Sequence, residues 1–204
     1  MSVCHIVGAG ECPSLNTIKL NDGDTVIAAD NGLTYLNAVG IKPNHIIGDF
    51  DSLGSIPEGD NVTVLPAEKD VTDMYSAAEF GMKAGFTDFR FYGWSGGRFD
   101  HTLANVQLCA HLAQSGCKAE FITDRQIMTA VCCSELHFDS SHKGYISVLS
   151  FTDKSVGVTL KGLKYPLDNA VLTSDFPLGT SNEFTGTDST VKVENGTLIV
   201  IFDA

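Results

Sequence analysis

The chain has 204 residues, is 43% hydrophobic and carries a formal net charge of -12. That is enough apolar mass to bury a core in one large domain or two small ones. The acidity excludes a protein that grips nucleic-acid backbone through a basic face, but a nucleotide remains compatible, because its phosphates can be held through a metal ion.

Taken in chain order, the first part alternates strand and helix signals. Val3–Val7 is a short apolar run ending in Gly8-Ala9-Gly10, and Thr25–Ala29 is another, ending in Asp30-Asn31-Gly32. The stretch Leu33–Val39 reads as a helix stopped by Gly40, and His45–Ile47 runs into Gly48-Asp49-Phe50-Asp51-Ser52. Val62–Leu65 is a fourth strand. Thr72–Lys83 reads as an amphipathic helix with Met74, Ala77, Ala78, Gly81 and Met82 on its apolar face. Phe89–Tyr92 is a fifth strand. A second helix follows, with Phe99, Leu103, Val106, Ala110 and Ala113 recurring at steps of four and three. Glu120–Thr123 is a sixth strand. This alternation predicts an α/β fold, a doubly wound and mainly parallel sheet with right-handed crossovers.

From about Arg125–Cys133 onward the helix signals disappear. Tyr145–Phe151, Val156–Leu160, Ala170–Thr173, Thr190–Val193 and Leu198–Phe202 are short apolar runs separated by Gly, Asn, Asp and Ser. Asn195-Gly196 between two such runs predicts a hairpin. A small antiparallel β domain over residues 129–204 is therefore expected after an α/β domain over residues 1–128. The six cysteines, Cys4, Cys12, Cys109, Cys117, Cys132 and Cys133, form no C-x-x-C pair and read as free buried thiols of a reducing compartment. No signal-peptide pattern or bilayer-length apolar run is present, so a cytoplasmic protein is expected.

Ligands of an open parallel sheet collect outside the carboxyl ends of its strands, and the polar motifs fall there. Asp30 follows the second strand, and Asp49 and Asp51 the third. Lys69-Asp70-Val71-Thr72-Asp73 follows the fourth, and Gly96-Gly97-Arg98-Phe99-Asp100-His101 the fifth. Read singly, each has a structural meaning: an Asx turn at Asp49–Ser52, a helix cap at Asp70–Asp73, a glycine turn at Gly96-Gly97. Read together, four loops bring carboxylates to one edge, which is costly unless a cation neutralises them. Carboxylate oxygens without His or Cys partners favour Mg²⁺ shared with substrate phosphates, and so phosphoryl-type chemistry. Arg98, beside glycines at a helix start, suits a bidentate grip on phosphate. No P-loop, complete G-x-G-x-x-G or G-x-S-x-G motif occurs. His5, His45, His111, His137 and His142 are scattered and read as structural.

The ordered set Ala29-Asp30-Asn31-Gly32, Gly48-Asp49-Phe50-Asp51-Ser52, Lys69-Asp70-Val71-Thr72-Asp73, Gly96-Gly97-Arg98-Phe99-Asp100-His101 and Thr180-Ser181-Asn182-Glu183 resembles the thiamine pyrophosphokinase family. The resemblance spans nearly the whole chain. It implies transfer of a pyrophosphoryl group from ATP to the hydroxyl of thiamine, with release of AMP. It also implies an α/β catalytic domain, a β-sandwich domain, and a homodimer with thiamine where the two subunits meet. By the same resemblance, Asp49, Asp51 and Asp70 hold Mg²⁺, and Asp73, Asp100 and Arg98 are catalytic. Asp30, Asn31, Lys69, Arg98 and His101 line the ATP site together with Arg125 and Gln126, and Ser181 and Asn182 contact thiamine. Two positions depart from the family pattern. Asn31 stands where a glycine is usual, and the last strand, Leu198–Phe202, carries no tryptophan.

Two other readings remain open from sequence. A metal-dependent glycosyltransferase would also use a D-x-D loop after a strand, but gives no reason for Gly-Gly-Arg-Phe-Asp-His or for the trailing β domain. An inactive nucleotide-binding or dimerisation module predicts broken acidic motifs, and all are filled. A haloacid-dehalogenase-like phosphatase needs Thr or Val where Leu53 stands.

Overall fold

The structure is a computed structural model that describes residues 2–51, 54 and 56–204. Ser52 and Leu53, which end the aspartate loop and argue against the phosphatase, lie outside the described residues. The chain divides into two compact units, Met1–Leu108 with Ala119–Asp124, and Cys109–Lys118 with Arg125–Ala204.

The elements up to residue 124 are β1 (Cys4–Val7), a 3₁₀ turn (Leu15–Thr17), β2 (Thr25–Ala29), α1 (Gly32–Ala38), β3 (His45–Gly48), β4 (Val62–Val64), α2 (Asp73–Lys83), β5 (Asp88–Tyr92), α3 (Phe99–Gln114) and β6 (Lys118–Ile122). Their strands are ordered β6-β5-β1-β2-β3-β4. The pairings β5–β1, β1–β2, β2–β3 and β3–β4 are all parallel. The chain winds outward from β1 to β4, then returns to place β5 on the other side of β1. The expected doubly wound sheet is thus present, and its topological switch point lies between β1 and β5. Ile6, Ile27, Phe89, Phe91 and Phe121 are fully buried within it, with the rings of Phe91 and Phe121 stacked at 4.1 Å.

The helices show how pattern becomes packing. Thr72 caps α2 by accepting the Tyr75 N–H at 3.2 Å, and Met74, Ala77, Ala78 and Gly81 are buried as expected. In α3 the expected apolar stripe holds at Ala110, which is fully buried, but fails in the first turns. Phe99 is 80% and Leu103 53% exposed, whereas Asn105, Leu108, Cys109 and Leu112 are buried. That second set has i, i+3, i+4, i+7 spacing. It was hidden because a polar asparagine is one of its members.

His5, on β1, is 1% exposed. Burial holds its imidazole below the usual pKa against the opposing pull of Asp24, whose carboxylate stands 3.6 Å away. The fold therefore prefers the neutral ring, while the unfolded chain takes up a proton near pH ~6.5. The stabilisation is complete above that pH and is lost as pH falls toward the folded pKa. Thermal melts are expected to show Tm falling between neutrality and about pH 5, with a shallower slope in His5→Gln. Parallel slopes for the two proteins would contradict this origin.

The second unit contains β7 (Gln126–Cys132), β8 (Glu135–Phe138), β9 (Tyr145–Ser150), β10 (Lys154–Lys161), β11 (Leu167–Thr173), β12 (Asn182–Glu183), β13 (Ser189–Lys192) and β14 (Thr197–Asp203). They form an antiparallel β-sandwich with strand orders β12-β9-β14-β7 and β11-β10-β13-β8. Its core includes Val131, Phe138, Val148, Val158, Leu160, Leu172, Val191, Val200 and Phe202. Several features differ from expectation, among them the short strands β8 and β12, which the sequence did not mark. The sequence placed no strand at β7, whose central residues Met128–Val131 form an unbroken buried run without alternation. The Asn195-Gly196 hairpin is not formed, because β13 and β14 belong to different sheets. Asn195 lacks the positive φ that a type I′ turn needs. Instead its N–H and that of Glu194 both donate to Val156 O, at 3.1 Å each. The dipeptide is a corner between sheets. Among the described residues no helix is long and apolar enough to cross a membrane.

Candidate active site

A cleft of about 610 Å³ opens in the first unit at the switch point. One wall is Gly8-Ala9-Gly10, beyond β1, and the other is Gly93 to Arg98, beyond β5. The segments continue the sheet pairing past its regular end, with Gly10 N–H donating to Gly93 O at 2.8 Å and Glu11 N–H to Ser95 O at 2.7 Å. A Cβ on Gly10 would lie 2.4 Å from Ser95 O, so only glycine permits this approach. The first turns of α2 and α3 also line the cleft, through Thr72, Asp73 and Met74, and through Arg98 and His101. Two helix N-termini, with the positive ends of their dipoles at the cleft, suit an anion.

Asp30 reaches the cleft from the end of β2. It adopts a φ of 49°, and its N–H donates to Ile47 O at 2.8 Å. Asn31 has an ordinary φ of -67°, so the glycine usual there in the family is not required by the backbone. Its side chain accepts the Thr34 hydroxyl at 2.6 Å. The demanding position is Gly32, where a Cβ would lie 1.9 Å from Val7 O. Gly32→Ala is expected to destabilise the fold by about 1–3 kcal/mol through overpacking. The check is a urea titration, in which the midpoint should fall at unchanged slope.

The loop after β3 is anchored between its two aspartates. Phe50 is 2% exposed, packs with Val7, Val26, Leu36 and Tyr92, and holds a φ of 61°. Such a conformation is rare for a bulky residue and is held here by burial. With the ring driven inward, Asp49 and Asp51 are left at the surface of the loop. The Asp51 N–H donates to Asp49 Oδ1 at 3.4 Å, which is the Asx turn that the sequence also allowed.

Lys69 joins this loop to α2. Its ammonium lies 2.6 Å from Asp49 Oδ2 and 2.9 Å from Asp73 Oδ1, with side-chain exposures of 13% for Lys69, 20% for Asp49 and 22% for Asp73. Burial alone would lower the Lys69 pKa, but the hydrogen bonds of the two carboxylates outweigh it and hold the ammonium charged. The Lys69 hydrogen bond depresses the pKa of Asp49. The pKa of Asp73 is raised instead, first by burial and further by the negative charges of Asp49 and Asp30. One cation thus stands between two carboxylates, and Asp30 is near enough to act on Asp73. Asp51 and Asp70 are exposed. Among the described residues no three Asp, Glu, His or Cys side chains are gathered closely enough to hold a metal ion. The structure therefore leaves Asp49, Asp51 and Asp70 apart and pairs Asp49 with Lys69.

Arg98 and Asp100 form a two-pronged ion pair at 3.1 and 2.6 Å, and the Asp100 carboxylate also accepts the His101 N–H at 3.0 Å. Both side chains are largely exposed, so the pair stabilises little. Arg98 and His101 line the cleft. In the second unit, Arg125 and Gln126 stand at the start of β7. Ser181 has a φ of 59° and donates its N–H to Ser147 Oγ at 3.0 Å. Asn182 is 3% exposed. Its amide is used internally, donating to Tyr165 O at 2.7 Å and accepting the N–H groups of Tyr165 and Glu183, each at 2.9 Å.

Sequence reasoning missed Gly8–Gly10, Tyr35, Trp94 and Asn105, which all line the cleft. Asn105 donates to Trp94 O at 2.6 Å, and the Trp94 ring meets Phe121 edge-on. The usable signal was the doubled glycine after the first strand, which gains meaning once β1 is known to flank the switch point.

Family comparisons address the same segments. The profile described as thiamin pyrophosphokinase, catalytic domain, matches residues 18–121. The one described as thiamin pyrophosphokinase, vitamin B1 binding domain, matches residues 133–199. A thiamine pyrophosphokinase of Bacillus subtilis is 31% identical over 182 residues, covering 86% of this chain and 85% of the relative. The chain belongs to the thiamine pyrophosphokinase family. Two solved structures agree. A thiamine pyrophosphokinase from Bacillus subtilis superposes with a TM-score of 0.86 at 29% identity and 99% coverage of both chains. One from Geobacillus thermodenitrificans gives 0.83 at 27% identity, covering 99% of this chain and 97% of that one. The family is one of enzymes; the cleft lining from Ala29 to Asn105 falls within the segment that matches its catalytic profile, and Gly8–Glu11 precede that segment.

Proposed function

We propose that the chain is a cytoplasmic thiamine pyrophosphokinase that acts as a homodimer, moving the pyrophosphoryl group of ATP to the hydroxyl of thiamine and releasing AMP. The observation that carries this reading is the switch-point cleft lined by Asp30, Asp73, Arg98 and His101 in a chain of this family. Asp30, Asn31, Lys69, Arg98 and His101 bind ATP, and Arg125 and Gln126 are the further nucleotide residues that the family resemblance implies. Ser181 and Asn182 serve thiamine. Asn182 does so as a positioning group, since its amide fixes the Tyr165 and Glu183 backbone.

Asp49, Asp51 and Asp70 are hard carboxylates, the donor type that Mg²⁺ prefers, and Asp49 already holds a cation in the Lys69 ammonium. Bound by those three, the ion would neutralise charge on the polyphosphate oxygens. The remaining work is done by side chains. Arg98 leaves its exposed partner Asp100 at little cost and takes up phosphate in the same forked geometry. Lys69 supplies a second positive charge beside the reacting phosphate. Asp73 or the released Asp100 accepts the thiamine hydroxyl proton late in the transfer. The α2 and α3 N-termini add fixed N–H donors.

The test is AMP release from ATP and Mg²⁺ with thiamine, without it, and with UDP-sugars instead. AMP formed only with thiamine supports the reading. Sugar transfer, or metal-dependent ATP binding without turnover, overturns it. Light scattering tests the dimer.

A further inference from the structure

Cys132 ends β7, and Cys133 begins the turn into β8. On an extended strand two successive side chains point to opposite faces. Here Cys133 adopts a left-handed φ of 48°, held by its N–H donating to Gly196 O at 3.2 Å. The turn brings both side chains to one side, and the two Sγ atoms stand 3.8 Å apart. Cys133 is exposed and Cys132 half-buried. No other thiol is as exposed as Cys133: Cys4 and Cys109 are buried, and Cys12 and Cys117 are half-buried like Cys132. Burial pushes Cys4 up to about 12 and Cys12 to about 11. The expectation of six buried thiols thus fails at this turn.

A disulfide is a poor product here. The peptide is trans, which fixes the two Cα atoms about 3.8 Å apart, below the roughly 4.4–6.8 Å that a relaxed disulfide spans. A single bridging atom suits the geometry better. Two bonds of about 2.3 Å, the thiolate–zinc length, meeting near the tetrahedral angle span about 3.8 Å. Among the described residues no third acid, imidazole or thiol completes a ligand set, which disfavours a four-ligand zinc site. The favoured ligand closes on two sulfurs alone and is soft.

We propose that Cys132 and Cys133 form a two-thiol chelate site for trivalent arsenicals and kindred soft metalloids. With an arsenous oxide R–As=O, both sulfurs bond to arsenic and the As=O bond is lost. The two thiol protons leave with that oxygen as water, and arsenic stays trivalent. After the first As–S bond forms, the second thiol is already in place, so closure is intramolecular and resists monothiols.

The experiment treats the full chain with phenylarsine oxide and reads intact mass and free-thiol count. One adduct is expected, accompanied by loss of two free thiols, stable to excess glutathione and removed by 2,3-dimercaptopropanol. Cys132→Ser and Cys133→Ser should each lose the glutathione-stable adduct, while the Cys12→Ser/Cys117→Ser double variant keeps it. Circular dichroism verifies that each variant is folded. A stable adduct surviving in either single variant overturns the proposal. So does its absence from the unsubstituted chain, or the loss of only one thiol there, results that need no variant to fold.

Discussion

Replacing Lys69 by methionine is expected to lower turnover by about 10²-fold or more, the scale of removing one donor aimed at developing charge. The same change should destabilise the protein without metal. It leaves Asp49 and Asp73 facing each other without the ammonium that now lies within 3 Å of both. Complete burial of a broken pair costs roughly 3–5 kcal/mol. These groups are 13–22% exposed, so about 2 kcal/mol is expected after screening. For a chain of this length that is a fall in Tm of about 4–8 °C. A third consequence distinguishes a competing cation from a plain structural lysine. The Tm gain on adding Mg²⁺ should be larger in Lys69→Met than in the unsubstituted protein, because the carboxylates no longer have an internal partner. Equal gains, together with near-normal turnover, would remove Lys69 from the mechanism.

Asp73→Asn should separate stability from activity. Burial first, then Asp49 and Asp30, raise the Asp73 pKa above the unfolded value despite Lys69. For a carboxyl shifted upward, the folded state binds the extra proton, so stability falls as pH rises through the window between the two values. At neutral pH the ionised Asp73 is therefore a net cost, and a neutral isostere relieves it. Asp73→Asn is expected to melt higher than the unsubstituted protein at neutral pH, with the difference shrinking on acidification. Its turnover should fall by about 10²-fold or more if the carboxylate takes the hydroxyl proton. A lower Tm together with retained AMP release would refute both parts. Asp51→Asn, which leaves the Lys69 pairs untouched, is the natural companion and should lose activity with little change in Tm.

The sequence showed the winding of the first unit because most of its parallel strands are short apolar runs that end in Gly or Asp. The ends are where the loops carry chemistry, so Asp30, Asp73, Arg98 and His101 could be named before any geometry was known. What stayed hidden depends on long-range partners. Lys69 meets Asp49 across 20 positions, and no local pattern encodes that. The strand β7 was invisible because its buried middle lacks alternation, and the α3 stripe was misplaced because Asn105 belongs to it. Asn195-Gly196 carries a strong local turn signal, yet tertiary pairing with Val156 decides its use.

The place of β1 has a consequence for how the chain is made. Its four residues, Cys4 to Val7, are all buried. One edge is covered by β2 once Thr25 to Ala28 are available, but the other must wait for Phe89 to Tyr92. At a synthesis rate of roughly 5–20 residues per second, that delay is on the order of several seconds. Through that interval an apolar strand has an unpaired edge, the configuration most prone to joining a neighbouring chain. Slow translation between β2 and β5 should therefore lower the soluble yield more than the same slowing placed after residue 92.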